Sequence, residues 1–228
     1  MTELAVALDV GSAPEALRLA DVIGDAARWY KVGPVLCMEG GAVIIRELRS
    51  RGKNVFLDLK WHDIPNTVAR AVAAAGEAGV ALATVHLAGG ARMLEAAVKA
   101  KNGDLRLLGV GVLTSLDAQQ YGAVVGRAVA DVGEEQRRLV RFGVSAGLDG
   151  YVSAAHEARA VRAVAGARAF IVVPGIRRET DATGDQARTA TPREAARAGA
   201  DLLVVGRPVT TAADPRREAV AIAQEAQV

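Results

Sequence analysis

The chain has 228 residues, of which 51% are hydrophobic and 24% charged, and its mean hydropathy of +0.18 excludes a disordered or fibrous protein. With 28 Lys and Arg against 26 Asp and Glu, the net charge of +2 offers no broad basic surface for nucleic acid or anionic lipid. Two Trp, three Tyr and three Phe are too few for base-stacking platforms.

Short apolar runs recur along the chain and predict eight β-strands, at 4–9, 29–33, 54–60, 81–86, 107–113, 149–153, 168–174 and 201–206. Segments with helical spacing, many of them rich in Ala, lie between and after these runs, at 13–26, 41–51, 65–78, 91–101, 131–145, 154–165, 192–198 and 215–226. Strands that alternate with helices favour a parallel sheet. Eight such units predict an α/β fold of the (β/α)8 TIM-barrel type, a single domain over residues 1–228, since such barrels have about 250 residues. An open doubly wound sheet is the alternative, although it usually has fewer strands.

We expect neither a signal peptide nor a membrane-spanning segment. Its first residues, 1–4, lack a basic region, and no run of about 18 apolar residues occurs. The single Cys37 excludes an internal disulfide and a Cys-based zinc site. No glycine-rich or Walker motif for a nucleotide cofactor is present. We therefore expect a cytoplasmic protein without membrane or nucleic-acid partners, without a bound metal and without a cofactor.

The end of the third predicted strand has the most informative pattern. Because side chains alternate along a strand, Phe56, Asp58 and Lys60 share the face that looks into the barrel. An Asp and a Lys on that face are costly to bury unless they pair with each other and with further charges. Catalytic residues of such barrels lie at the C-terminal ends of the strands, where these two stand.

Further charges are available for this network. Asp9 ends the first strand, Lys31 lies near the end of the second, and Asp63 starts the turn before the helix at 65–78. Alternation of Lys31, Asp58, Lys60 and Asp63 predicts a nearly neutral charge network of catalytic residues. One alternative is a buried salt-bridge network that merely closes the barrel top. Asp63 has a second alternative, as the N-cap of the helix that opens at 65.

The last two strands end in residues suited to phosphate. Gly206 lets a backbone N–H approach an anion, and Arg207 can bind one bidentately, at a place where barrels often bind phosphate. The alternatives are a turn glycine and a solvated cation. The connection 175–191 is long enough to predict a mobile lid, and Gln186 within it is a donor for phosphate or a polar ring. Ser115 either binds a ligand amide or caps a turn.

Taken in order, these motifs resemble the orotidine 5′-monophosphate decarboxylase family along the whole chain. The most specific segment is Asp58-Leu59-Lys60-Trp61-His62-Asp63-Ile64-Pro65-Asn66-Thr67. Further matching segments are Leu8-Asp9, Lys31-Val32-Gly33, His86 with Gly89-Gly90, Leu113-Thr114-Ser115, Gly147-Leu148-Asp149-Gly150, Pro174-Gly175-Ile176-Arg177, Gly184-Asp185-Gln186 and Gly206-Arg207-Pro208-Val209. Leu87 departs from the pattern, which has a smaller residue after the His, and this affects only local packing.

The resemblance implies cofactor-free decarboxylation of orotidine monophosphate to UMP, the last step of pyrimidine synthesis, by a homodimer with its sites at the interface. It implies that Lys60 protonates the C6 carbanion and that Asp58 lies beside the departing carboxylate. It also implies that Lys31 and Asp9 bind the ribose hydroxyls and orient the network, and that Asp63, Ile64 and Thr67 reach into the partner's site. On the same resemblance, Ser115 and Gln186 contact the pyrimidine and phosphate side of the substrate. Pro174 would then line the base pocket, and Gly206 and Arg207 would hold the phosphate.

Two other functions remain open from the sequence. Related sugar-phosphate decarboxylases and aldolases of the same barrel type share the Asp-x-Lys-x-x-Asp pattern, but they use Mg²⁺ and an acidic residue where Lys31 stands. A cation at that place repels a metal ion, which argues against them. A non-catalytic nucleotide-binding barrel with purely structural charges would bind UMP without releasing CO2.

Overall fold

Eight parallel strands close into a barrel in the order in which they occur along the chain. A computed structural model describes residues 1–178 and 189–227. The strands are β1 Glu3–Ala7, β2 Trp29–Val32, β3 Asn54–Trp61, β4 Leu82–His86, β5 Arg106–Val110, β6 Gly150–Val152, β7 Phe170–Val173 and β8 Leu202–Val205. Because β1 pairs with both β2 and β8, the sheet has no open edge. The predicted TIM barrel is confirmed, and the open doubly wound sheet is excluded.

Helices follow the strands and cover the outside of the barrel. Within the described residues they are α1 Ala13–Ile23, α2 Pro34–Met38, α3 Gly41–Ser50, α4 Pro65–Glu77, α5 Gly90–Lys99, α6 Ala118–Val125, α7 Val132–Ala146, α8 Ala155–Ala165, α9 Pro192–Arg197, α10 Arg207–Thr210 and α11 Pro215–Glu225. The eight predicted helical segments all correspond to helices. Helices α2, α6 and α10 were not predicted. Two of them, α2 and α10, are only about one turn long. No helix in the described ranges is long and apolar enough to cross a membrane.

Polar side chains at the helix starts account for several element boundaries. The Ser12 hydroxyl accepts a hydrogen bond from the backbone N–H of Glu15 and so caps α1. Asp117 and Gln120 form a reciprocal capping box at the start of α6. The C-terminal end of α7 is set by Gly147, which adopts a left-handed conformation with φ 84°. A residue with a side chain adopts this conformation less readily.

Two apolar clusters lie on the two faces of the sheet, as the alternation along each strand predicts. The cluster between sheet and helices includes Val55 and Leu57 of β3. The cluster inside the barrel consists of Ala5, Ala7, Trp29, Phe56, Leu82, Leu108, Val172, Leu202 and Val204. This inner cluster fills the barrel up to Phe56 and leaves the carboxyl ends of the strands to polar residues.

Candidate active site

A cavity of about 700 Å³ opens at the carboxyl ends of the strands. Apolar side chains line its base and include Phe56, Val110, Val152 and Val172. Charged side chains reach it from five strand ends: Asp9, Lys31, Asp58, Lys60, Arg177 and Arg207. The cavity therefore has an apolar base with a ring of opposite charges above it.

Four of these charges form a continuous chain of contacts. Lys31 Nζ lies 2.9 Å from Asp9 Oδ1 and 3.9 Å from Asp58 Oδ2, and Lys60 Nζ lies 2.9 Å from both Asp58 oxygens. The Lys31 and Asp58 side chains are only 12% and 14% exposed, whereas Lys60 is 38% exposed. Acid and base alternate in the order Asp9, Lys31, Asp58, Lys60, so the network has no net formal charge.

Asp63 is not part of this network within the chain. It is exposed, it makes no ion pair with any described residue, and its Oδ1 accepts a hydrogen bond from the backbone N–H of Ile64 at 2.6 Å. The network predicted from the sequence had Asp63 as its fourth member, beside Lys60. In the structure the fourth member is Asp9, beside Lys31. The alternative role as an N-cap is also wrong, because Ile64 occupies the N-cap of α4 and makes no side-chain capping bond there.

An irregularity in β3 presents Lys60 to the cavity. Leu57 pairs with Ala83 and Trp61 with Val85, so three residues of β3 lie opposite a single residue of β4, Thr84. Lys60 within this bulge has φ 47°, the only positive φ of a non-glycine residue in the described ranges. Its backbone N–H donates to the Thr84 hydroxyl at 2.8 Å instead of to a strand carbonyl.

Two histidines lie beside the network. The rings of His62 and His86 stack with their centroids 5.1 Å apart and their planes 13° from parallel. His86 Nδ1 accepts a hydrogen bond from the backbone N–H of Ala88 at 3.2 Å. Burial, followed by the neighbouring His62 and Lys60, lowers the pKa of His86 below its ordinary value. This keeps the imidazole neutral at physiological pH.

The part of the cavity wall formed by the ends of β7 and β8 has the features predicted for phosphate. Gly206 and Arg207 line it where β8 ends and α10 begins, and Pro174 lines it after β7. Arg177 and Thr210 also face the cavity, although neither was assigned a site role from the sequence. Arg177 belongs to the Pro-Gly-Ile-Arg segment after β7, which is the signal that identifies it.

Other predicted site residues lie elsewhere. Ser115 is exposed and is not among the residues that line the cavity, whereas its neighbour Thr114 does line it. Ile64 and Thr67 are exposed on the surface around the start of α4. Gln186 and most of the predicted lid, residues 179–188, lie outside the described residues. The two described ends of that segment are joined by a bridge between Ile176 and Ala190.

The described residues contain no group of three or more His, Cys, Asp or Glu side chains placed to hold a metal ion. The anionic groups of the cavity, Asp9 and Asp58, are instead each in contact with the Lys31 ammonium.

Comparison with known proteins gives consistent results along the chain. The sequence profile of the family described as "Orotidine 5'-phosphate decarboxylase / HUMPS family" matches residues 2–222. The chain is 47% identical over 222 residues to an orotidine 5'-phosphate decarboxylase of Anaeromyxobacter sp. (strain K), covering 96% of both chains. It is 48% identical over 227 residues to one of Methylobacterium sp. (strain 4-46), covering 97% of this chain and 94% of that protein. The crystal structure of orotidine 5'-phosphate decarboxylase from Lactobacillus acidophilus superposes with a TM-score of 0.87 at 30% identity, over 100% of both chains.

Proposed function

We infer how the cavity works from the fact that the chain belongs to the orotidine 5′-phosphate decarboxylase / HUMPS family. The protein is a carboxy-lyase that decarboxylates orotidine 5′-monophosphate to UMP, a step of pyrimidine biosynthesis. The residues that perform this reaction are our proposal, and the charge network around Lys60 is the observation that supports it.

Lys60 is the proton donor in this proposal. Loss of CO2 leaves an electron pair on C6 that the pyrimidine ring cannot delocalise. An ammonium group next to that carbon stabilises the negative charge as it develops and then transfers a proton to it. Lys can do both, whereas Arg does not release its proton. Lys60 faces the cavity, its Nζ is held by Asp58, and it is the more exposed of the two lysines in the network.

Asp58 holds the Lys60 ammonium and lies beside the departing carboxylate. Its partner on the other side, Lys31, is fixed between Asp58 and Asp9. We assign Lys31 and Asp9 to the ribose hydroxyls, because an ammonium and a carboxylate together offer donors and an acceptor at the rim of the cavity. Asp9 is well placed for this, since its side chain is 61% exposed.

The phosphate group binds at the ends of β7 and β8. We assign it to Gly206, Arg207 and Gln186, with Pro174 against the base. Ser115 keeps the contact on the pyrimidine side that the family resemblance implies, although its side chain lies outside the cavity lining. A guanidinium binds phosphate bidentately, and the backbone of a glycine can approach it closely. Because this contact lies far from C6, its binding energy acts on the reaction by holding the substrate in place and excluding water.

The Mg²⁺-dependent sugar-phosphate enzymes are not favoured as an alternative. The curated relatives at 42–48% identity are named orotidine 5'-phosphate decarboxylase. The position of Lys31 supports the same conclusion, since its ammonium lies 3.9 Å from the Asp58 carboxylate that Mg²⁺ would need as a ligand. A purely structural network fits less well, because all four charges line an open cavity.

We also propose a homodimer in which Asp63, Ile64 and Thr67 reach the partner's site. All three side chains are exposed and lie outside the cavity of their own chain. Ile64 is 67% exposed, and Val35 and Met38 in α2 are also exposed apolar residues, at 60% and 88%. We propose that these three apolar side chains belong to the interface. A biosynthetic enzyme of this kind is expected in the cytoplasm.

The role of Lys60 is tested with Lys60→Ala, compared with Lys99→Ala as a control at an exposed position on α5. We expect Lys60→Ala to abolish the loss of orotate absorbance in the ultraviolet while the variant still binds UMP. Lys99→Ala should have full activity. Near-normal CO2 release by Lys60→Ala would contradict the proposed role.

The shared site is tested by mixing two inactive variants, Lys60→Ala and Asp63→Ala. Dimers that exchange subunits form one intact site in each hybrid, with Lys60 from one chain and Asp63 from the other. A one-to-one mixture should recover about a quarter of the wild-type activity, from random pairing in a two-fold symmetric dimer. If the mixture stays inactive although the subunits exchange, Asp63 does not act across the interface.

A further inference from the structure

We propose that Thr84 is a positioning residue for the decarboxylation, holding both the Asp58 carboxylate and the β3 bulge that presents Lys60. This inference rests on the roles proposed above for Asp58 and Lys60. Thr84 was not singled out from the sequence, and it does not line the cavity. It acts through the two residues that do.

A single hydroxyl group makes both contacts. Thr84 is fully buried, with 0% of its surface exposed. Its Oγ1 donates a hydrogen bond to Asp58 Oδ1 at 3.0 Å and accepts one from the backbone N–H of Lys60 at 2.8 Å. A Thr hydroxyl has one hydrogen to donate, and the Asp58 bond uses it. The two bonds therefore fix the orientation of the hydroxyl and tie both site residues to β4.

The bulge explains why such a group is needed. Three residues of β3 lie opposite Thr84, so the regular ladder between Leu57 and Trp61 is interrupted. Lys60 adopts φ 47° there, a conformation that residues with side chains rarely adopt and that the surrounding structure must hold. Its N–H has lost the carbonyl partner that a regular strand would supply. The Thr84 hydroxyl replaces that carbonyl.

The second bond keeps Asp58 in place during turnover. At rest, Lys60 Nζ contacts both oxygens of Asp58 and helps to orient the carboxylate. When Lys60 transfers a proton to the substrate carbon, it becomes a neutral amine and holds the carboxylate less strongly. The hydrogen bond from Thr84 does not change in that step. It therefore maintains the position of Asp58 until Lys60 is protonated again.

The test compares Thr84→Val with Thr84→Ser. Val has nearly the same shape as Thr but no hydroxyl, whereas Ser keeps the hydroxyl and loses a methyl group. We expect Thr84→Val to lower kcat about tenfold, equivalent to about 1.4 kcal/mol, with KM and the Kd of UMP changed by less than about threefold. Thr84→Ser should stay within about threefold of wild-type kcat. Thr2→Val is the matched control, because it removes a hydroxyl that bonds the Ala200 carbonyl at the other end of the barrel.

Each outcome is decisive. A Thr84→Val enzyme with wild-type kcat overturns the inference about Thr84. The role proposed for Lys60 is judged separately in the same assay, where inactivity of Lys60→Ala supports it whatever the result for Thr84. Equal losses in the Val and Ser variants, or a loss no larger than that of Thr2→Val, also overturn it. If Thr84→Val does not fold, Thr84→Ala is measured in its place. If only Thr84→Ser folds, the hydroxyl serves folding and the positioning role is rejected.

Discussion

Replacing Asp58 by Asn tests whether the charge network stabilises the fold as well as the reaction. Asp58 lies 2.9 Å from Lys60 Nζ and 3.9 Å from Lys31 Nζ, and its side chain is only 14% exposed. At an effective dielectric constant near 20, these two contacts are worth about 6 and about 4 kcal/mol of attraction before desolvation is subtracted. Removal of one partner of a buried ion pair costs about 3–5 kcal/mol, because the other charge is left unpaired.

The expected loss is smaller than this, for two reasons that the geometry supplies. Lys31 keeps its contact of 2.9 Å with Asp9, so it is not left alone. Lys60 loses the carboxylate that holds it, but its side chain is 38% exposed and water can solvate the ammonium. We therefore expect Asp58→Asn to lower the free energy of unfolding by about 2 kcal/mol, and Tm by about 4–8 °C for a domain of this size.

Asp21→Asn is the matched control. Asp21 is 57% exposed and pairs with Arg51 at 2.8 Å, and Arg51 keeps a second partner in Glu47 at 2.7 Å. An exposed pair of this kind contributes about 0–1 kcal/mol. Urea unfolding followed by circular dichroism measures both variants, and the decrease in orotate absorbance measures turnover, which Asp58→Asn should reduce by about 10²–10⁴-fold. Equal stability of the two variants, or a more stable Asp58→Asn, would refute the reasoning about the network.

Three further predictions follow from the same site. Arg207→Ala should raise KM for orotidine monophosphate by about tenfold or more but leave that for unphosphorylated orotidine nearly unchanged, because it removes a charge-assisted phosphate contact; equal effects on both would remove Arg207 from the phosphate site. Activity should survive exhaustive treatment with EDTA, and a loss that Mg²⁺ restores would favour the sugar-phosphate enzymes. Because folding lowers the pKa of His86, the unfolded chain binds more protons at this residue than the folded chain once the pH falls to about 6.5. His86 therefore lowers the free energy of unfolding as the pH falls through that value. His62→Gln should weaken the effect, by removing one of the neighbours that lower this pKa, and a histidine titration by NMR that shows no rise in the His86 pKa would contradict this.

Local patterns in the sequence predicted the strands and most of the helices. The alternation at 54–60 correctly placed Phe56 inside the barrel, and Val55 and Leu57, on the other face of β3, pack against the helices. This works because side-chain direction along a strand depends only on neighbouring residues. The short helices α2 and α10 were missed for the same local reason. Each contains about one turn, which is too short for a helical period to show.

By itself, the sequence determined the eight-fold alternation of strands and helices, and the placement of Asp9, Lys31, Asp58 and Lys60 at strand ends. These properties depend on residues that are close along the chain. Only the tertiary structure decided that Asp9, and not Asp63, completes the network within one chain, and that Thr84 supports it through the bulge in β3. Both depend on the register between neighbouring strands, and that register is set by the packing of segments more than twenty residues apart.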